Sequence, residues 1–250
     1  MSTIDDINTK VKNIMDDNFT TEEVTYVPDI TDSKLTFGNS GVKFEATVLH
    51  IDMRGSTKVL NKHNKSSVAK IHMAYFHTVV TIAGKLGGAV RSFNGDSMLV
   101  FFPGKTKSTL SNAVKAAMHM KYIITNEESG INNLLAKYSE IDFGIGIDDG
   151  FVLCTKIGIG GDSNNKGLFW AGNAVNKAVK LSDIAKKPNH ISLSSIVYSN
   201  LNDQTRYAEK ENIYTNQPEK IDMWNKNVFS YNNVINDYYH TSYYWAFSNL

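Results

Sequence analysis

An Asn-Gly dipeptide at 94–95 constrains this 250-residue chain more than any other pair of residues. It stands between Ala89-Val-Arg-Ser-Phe and Met98-Leu-Val-Phe-Phe, two runs of strand character. Such a dipeptide between strands signals a tight hairpin, which fixes one antiparallel pair. The residue after the glycine is Asp96, at the edge of a run that is otherwise apolar. Asp52 has the same setting, closing Val48-Leu-His-Ile and preceding Met53-Arg-Gly-Ser-Thr. A carboxylate at the edge of a core strand is costly unless something positive meets it. Two of them on neighbouring strands make an oxygen-rich site suited to Mg²⁺ or Mn²⁺.

Around that pair the chain reads as an N-terminal arm at 1–40, a main domain at 41–204, and C-terminal strands or a tail at 205–250 that complete the domain or a dimer. The arm is polar and mixed, and packs back or meets a partner. The spacing predicts a strand at about 42–53 and helices at 66–86, 107–127 and 173–185. A second hairpin is expected from Glu140-Ile-Asp-Phe-Gly-Ile-Gly-Ile, through a turn at Asp148-Asp149-Gly150, to Phe151-Val-Leu-Cys-Thr. A glycine-rich loop at 160–167 reads as a flap. The order of elements suggests an α+β sandwich, an antiparallel-rich sheet with flanking helices.

A net charge of +1 gives no global field for nucleic acid or a membrane surface. No apolar run approaches the roughly 20 residues of a membrane span, and the acidic start Met1-Ser-Thr-Ile-Asp-Asp is unlike a signal peptide. A cytoplasmic protein without nucleic-acid or membrane partners is the expectation. The single cysteine, Cys154, excludes intramolecular disulfides and Cys-rich zinc sites.

Three elements carry chemistry. After Asp52, the amides of Gly55, Ser56 and Thr57 at a helix start favour a polyphosphate, with Arg54 beside them and the Met53 carbonyl available to a metal. The same stretch also reads as a plain helix entry with Ser56 or Thr57 as N-cap. The Asn94-Gly95-Asp96 turn supplies the second carboxylate. In Gly172-Asn-Ala-Val-Asn-Lys-Ala-Val-Lys, helical spacing puts Asn173, Asn176 and Lys180 on one face and Ala174, Val175, Ala178, Val179 and Leu181 on the other. An amide and an ammonium one turn apart suit a ribose oxygen and a phosphate. A solvated polar face is the plainer reading.

In this order and spacing, Asp-x-Arg-Gly-Ser-Thr, Phe-x-Gly-Asp and Gly-Asn-x-Val-Asn resemble a class III nucleotidyl cyclase catalytic domain, whose fold is a ferredoxin-like, palm-type sandwich. The resemblance implies two divalent ions per active site on Asp52 and Asp96, Asn176 as the ribose-orienting asparagine, and Lys180 where the family has an arginine. It also implies homodimers with composite active sites. The purine-reading positions hold Ser92, flanked by Arg91, and Phe169, which do not match adenine or guanine. The chain is most similar to the Pycsar pyrimidine cyclases of bacterial anti-phage defence, which implies UTP or CTP as substrate and an effector that senses the cyclic product. His50, two residues before Asp52, takes the position thought to shrink the base pocket in that group, and also reads as a hydrogen-bonded strand histidine.

Overall fold

The computed structural model describes residues 2–246 apart from 129, 160, 161, 163 and 212–215. The elements run α1 (Thr3–Asp16), β1 (Thr20–Glu23), β2 (Ser40–Arg54), α2 (Ser56–Lys62), α3 (Lys65–Lys85), β3 (Ala89–Asn94), β4 (Ser97–Pro103), α4 (Lys107–Thr125) and α5 (Ile131–Leu134). They continue with β5 (Asp142–Gly158), β6 (Lys166–Ala171), α6 (Asn173–Ile184), β7 (Ile191–Ser194), α7 (Ser195–Ser199) and α8 (Asp203–Arg206). The last strands are β8 (Tyr207–Glu211), β9 (Pro218–Asp222), β10 (Asn225–Tyr231) and β11 (Val234–Thr241). The expected flap falls partly outside the described residues, because Gly160 and Gly161 are not among them.

The main sheet has the order β10-β11-β7-β5-β2-β4-β3, with β1 on β2 and β6 on β5. It is antiparallel except where β1 meets β2 and β5 meets β7. Strand β2 lies in the middle and its side chains alternate between two cores. Leu49, Ile51 and Met53 join Ile71, Tyr75 and Val79 of α3 and Val114 and Met118 of α4. Val42, Phe44, Ala46 and Val48 join Trp170, Ala174, Val175 and Ala178 beneath α6. The arm packs back: Val24, Val27 and Leu35 lie in this second core. The aromatic C-terminal segment rests on α4, where Tyr244 lies 5.6 Å from the Tyr122 ring.

Two local expectations change. Residues 148–150 make no turn, because β5 runs straight through them and pairs with β2 from Val42↔Cys154 to Arg54↔Asp142. The polar pair that suggested a reversal is accommodated inside the sheet, with Thr47 Oγ1 donating to Asp149 Oδ1 at 2.7 Å. The 94–97 hairpin forms, but its two central residues are Gly95 and Asp96, flanked by the pair Asn94↔Ser97. Gly95 has φ +65°, the conformation that the first central position of a type II′ turn requires. Asp96 is thereby placed at the turn itself.

Candidate active site

Register sets the two aspartates side by side. Asp52 lies opposite Ser97 in the β2–β4 ladder, so Asp96 sits one residue beyond that pair, in the turn that leads into β4. Both are half-buried, and neither side chain has a hydrogen bond or ion pair among the described residues. Burial raises the pKa of Asp52, and the nearby charges of Asp96 and Asp183 raise it further against the pull of Arg54. Two unpartnered carboxylates that repel each other suit hard divalent cations. No group of three or more acidic, His or Cys side chains stands ready for a metal among the described residues, so the rest of any shell would come from carbonyls, substrate oxygens and water.

Next to Asp52, the chain turns into α2 through Gly55 at φ +70°, which caps the helix without a side-chain bond. Neither Ser56 nor Thr57 is the N-cap. The first-turn amides of α2 have no partner within the helix and follow Asp52 closely in the chain.

Arg54 is engaged elsewhere. Its Nη2 donates to the carbonyls of Ser182 and Asp183, both at 2.7 Å, at the C-terminal end of α6, where a cation is favourable. His50, on the same face of β2, has Nδ1 2.7 Å from Ser182 Oγ. Ser182 Oγ itself donates to the Val179 carbonyl at 2.7 Å, so it accepts from His50 Nδ1–H. Burial pushes the pKa of His50 down to about 4, against the pull of Asp183 and Asp96, and the ring is neutral near pH 7. Residues on both sides of Asp52 are thus fastened to one serine of α6.

The approach is close because β5 presents glycines. A Cβ on Gly146 would lie 2.0 Å from the Ala178 carbonyl, and one on Gly144 would lie 2.2 Å from the Ser182 carbonyl. Ala174, Ala178 and Ser182 form the opposing small-residue ridge at i, i+4 and i+8. Neither Ser182 nor these glycines was singled out from the sequence, although the Gly-x-Gly of β5 and that ridge were the available signals.

The outer face of α6 carries Asn173, Asn176, Lys180 and Asp183, all exposed. Lys180 Nζ lies 3.8 Å from Asp183 Oδ2, and Asn173 Oδ1 accepts from Tyr231 Oη at 3.5 Å. Phe169, 52% exposed, pairs with Thr155 on β5, whereas Asp52 pairs with Gly144. Eleven residues of strand separate them, about 35 Å along the chain direction. One chain therefore does not bring Phe169 to its own aspartates.

Ser92 is half-buried on β3 opposite Leu99. Arg91 falls at the irregularity between Val90 and Ser92. Its Nε donates to the Pro28 carbonyl at 2.9 Å and its Nη2 to the Val27 carbonyl at 3.3 Å. Its guanidinium thus ties the arm to the sheet.

The family model described as the adenylate and guanylate cyclase catalytic domain matches residues 41–227. The chain is 29% identical to a uridylate cyclase of Xanthomonas perforans, over 88% of this chain and 91% of that one. It is also 29% identical to a uridylate cyclase of Burkholderia cepacia, over 90% and 91%. Among solved structures it resembles the guanylyl cyclase Cya2, with a TM-score of 0.65 at 20% identity, over 84% of this chain and 98% of that one. That likeness speaks for the fold and agrees with the α+β sheet and flanking helices. The chain belongs to the adenylate and guanylate cyclase catalytic domain family, the class III nucleotidyl cyclases.

Proposed function

We propose that this chain is a pyrimidine nucleotide cyclase that converts UTP into 3′,5′-cyclic UMP and pyrophosphate in composite sites of a homodimer. The observation that carries the reading is the pair of unpartnered carboxylates, Asp52 and Asp96, at one end of the sheet. Asp52, Asp96 and the Met53 carbonyl would hold two Mg²⁺ or Mn²⁺ ions, which supply acidification of the ribose 3′-hydroxyl and neutralisation of the phosphates. The amides of Gly55, Ser56 and Thr57 bind phosphate oxygens. The 3′-hydroxyl gives its proton to solvent and its oxygen attacks the α-phosphorus in line, the bond to pyrophosphate breaks, and Lys180 supplies positive charge to the transition state. Asn176 orients the ribose. Asn173 flanks the same nucleotide, and His50 walls the base pocket from beneath α6.

The separation of Phe169 from Asp52 supports shared sites. The aspartates lie by the C-terminal end of α6, while Phe169 and Asn173 lie by its N-terminal end. In a two-fold pair, the second set of residues serves the partner's aspartates. Ser92 and Phe169 offer no charged group to a purine edge, and the two similar uridylate cyclases favour uracil; CTP is the alternative substrate. Residues 41–204 form the catalytic domain in this reading, with the arm and the segment from 205 completing it. The product acts as a second messenger of cytoplasmic anti-phage defence, read by a cyclic-nucleotide-sensing effector. No helix among the described residues is long and apolar enough to cross a membrane.

A second reading, a domain that binds nucleotide without turnover, is favoured by the pairing of Lys180 with Asp183. One experiment separates them. Purified protein with Mn²⁺ is given each of the four triphosphates, and the product mass is measured. Cyclic UMP is expected; cyclic CMP moves the substrate assignment, and no product from any triphosphate removes the enzyme reading. Asp52→Ala and Asn176→Ala, each inactive alone, should regain activity when mixed under exchange conditions. A mixture that stays dead removes the shared site.

A further inference from the structure

Side chains alternate along β2, so Asp52 shares a face with His50 and Arg54, the face that α6 covers. Its register partner on β5 is Gly144, and there the last turn of α6 comes down on the sheet. A Cβ on Gly144 would lie 2.2 Å from the Ser182 carbonyl and 2.7 Å from the Ala185 carbonyl. Asp183 lies between those two residues, and Arg54 Nη2 donates to its carbonyl at 2.7 Å. The backbone of Asp183 is therefore fixed against the strand pair that carries Asp52. Its carboxylate takes no part in that clamp and makes no hydrogen bond among the described residues. Its single ion pair there, with Lys180 Nζ at 3.8 Å, is exposed on both sides, and such pairs hold weakly. Burial raises the pKa of Asp52, and the charge of Asp183 adds to this after that of Asp96. The same charge opposes the burial that lowers the pKa of His50.

We propose that Asp183 is a third carboxylate of the divalent-metal site on Asp52 and Asp96 of its own chain, acting across water and not as a direct ligand; this rests on the metal-dependent cyclase proposed above. No three acids stand ready to ligate one ion among the described residues, so Asp183 contributes through its charge and through the water between it and the ion. Two divalent ions bring twice the charge that Asp52 and Asp96 neutralise. A third negative charge favours loading of metal before a triphosphate brings its own. Asn173 and Asn176 face outward from earlier turns of α6 and, in the shared-site reading, serve the partner's aspartates. Asp183 stays with the aspartates of its own chain. One helix then serves both sites of the dimer, and Asp183 falls in the half of the site that Asp52 defines.

The test uses the full chain and Mn²⁺ alone, titrated without nucleotide and followed by the electron paramagnetic resonance of the free ion. Asp183→Asn should weaken Mn²⁺ binding about threefold or more, and Asp183→Glu should restore it to within about twofold. The gap should close as salt rises to about 1 M. Asp6→Asn removes the same charge from α1, which is anchored at the Ser40 end of β2, and should change nothing. Lys180→Ala should leave binding no weaker, and the loss in Asp183→Asn should persist in that background. Asp183 is exposed and Arg54 holds its backbone, so these variants keep the fold, which circular dichroism checks. Wild-type affinity in Asp183→Asn, an equal loss in Asp6→Asn, or a loss that vanishes without Lys180 overturns the proposal. Hybrids read the assignment to one chain. Asp183→Lys should lose turnover at limiting Mn²⁺, regain it when mixed with Asn176→Ala, and stay inactive when mixed with Asp52→Ala. Any other pattern, where Asp52→Ala and Asn176→Ala do rescue each other, overturns that assignment. If that control pair stays dead, the shared site falls and the Mn²⁺ titration alone decides on Asp183. A wild type that binds Mn²⁺ yet converts no triphosphate removes the cyclase reading and leaves the role of Asp183 to the titration; one that binds no Mn²⁺ removes both.

Discussion

Ser182→Ala isolates the bond that holds the strand of Asp52 to α6. Ser182 is 1% exposed and its hydroxyl accepts from Nδ1 of His50, itself 7% exposed. The substitution therefore leaves a buried N–H without a partner and out of reach of water. Leaving one such donor unsatisfied costs about 1–3 kcal/mol. The local bond from Ser182 Oγ to the Val179 carbonyl contributes little, because an alanine leaves that carbonyl its helical partner. Arg54 keeps its two backbone carbonyls, so the helix does not detach. For a chain of this size the loss corresponds to a fall in Tm of about 2–12 °C. The assay is urea and thermal denaturation of wild type, Ser182→Ala, His50→Phe and the double variant. The double-mutant cycle should return a coupling of about 0.5–3 kcal/mol. Because His50 and Arg54 bracket Asp52, the apparent affinity for Mn²⁺ without nucleotide should fall in Ser182→Ala. A coupling near zero, with unchanged Mn²⁺ affinity, refutes the claim that this bond positions the strand.

Gly146→Ala should abolish soluble folded protein, because its Cβ would lie 2.0 Å from the Ala178 carbonyl and 2.4 Å from the Ser182 amide; an ordinary circular dichroism spectrum and yield would contradict this. Asp148 is buried, and burial pushes its pKa up to about 6 from 3.8. Its folded-state pKa is the higher one, so its penalty is absent below about pH 4, grows as pH rises to about 6, and then stays constant, at about 3 kcal/mol. Asp148→Asn should accordingly raise Tm at pH 7.5 and leave it unchanged at pH 3.5, and an equal shift at both pH values refutes the assignment. Tyr75 is fully buried with a hydroxyl that has no partner, so Tyr75→Phe should stabilise the metal-free protein by about 1 kcal/mol, measured as a higher urea midpoint; a lower one means the hydroxyl is satisfied.

The sequence exposes the aspartates because a carboxylate inside an apolar run contradicts the run, and the contradiction is local. The hairpin at 94–97 is legible for the same reason, its turn chemistry being written in adjacent residues. Asp148-Asp149-Gly150 misleads because the same local logic treats two acids and a glycine as a reversal. The sheet satisfies Asp149 through Thr47 and buries Asp148 instead, and only the cross-strand neighbours show this. Arg54 and Arg91 stand close in sequence to the candidate site residues Asp52 and Ser92, yet their guanidinium groups go to backbone carbonyls of α6 and of the arm. Helix C-termini and irregular segments carry acceptors that need donors, and long side chains reach them from elements distant in sequence.

Helix α6 links the parts the sequence reveals to those it hides. Its inner face is committed to its own sheet by Gly144, Gly146 and the His50–Ser182–Arg54 contacts, which leaves Asn173, Asn176 and Lys180 on a rigid outer face. Rigid presentation suits the substrate-orienting role proposed for these residues, because little ordering remains to be done on binding. The same rigidity means that α6 does not swing its N-terminal half toward the aspartates of its own chain without losing the glycine contacts. A nucleotide held by Asp52 and Asp96 on one side and by Asn173 and Phe169 on the other therefore requires a second copy of the chain. The Asp52→Ala and Asn176→Ala mixture tests that requirement directly, since activity returns only when each copy supplies the half that the other has lost.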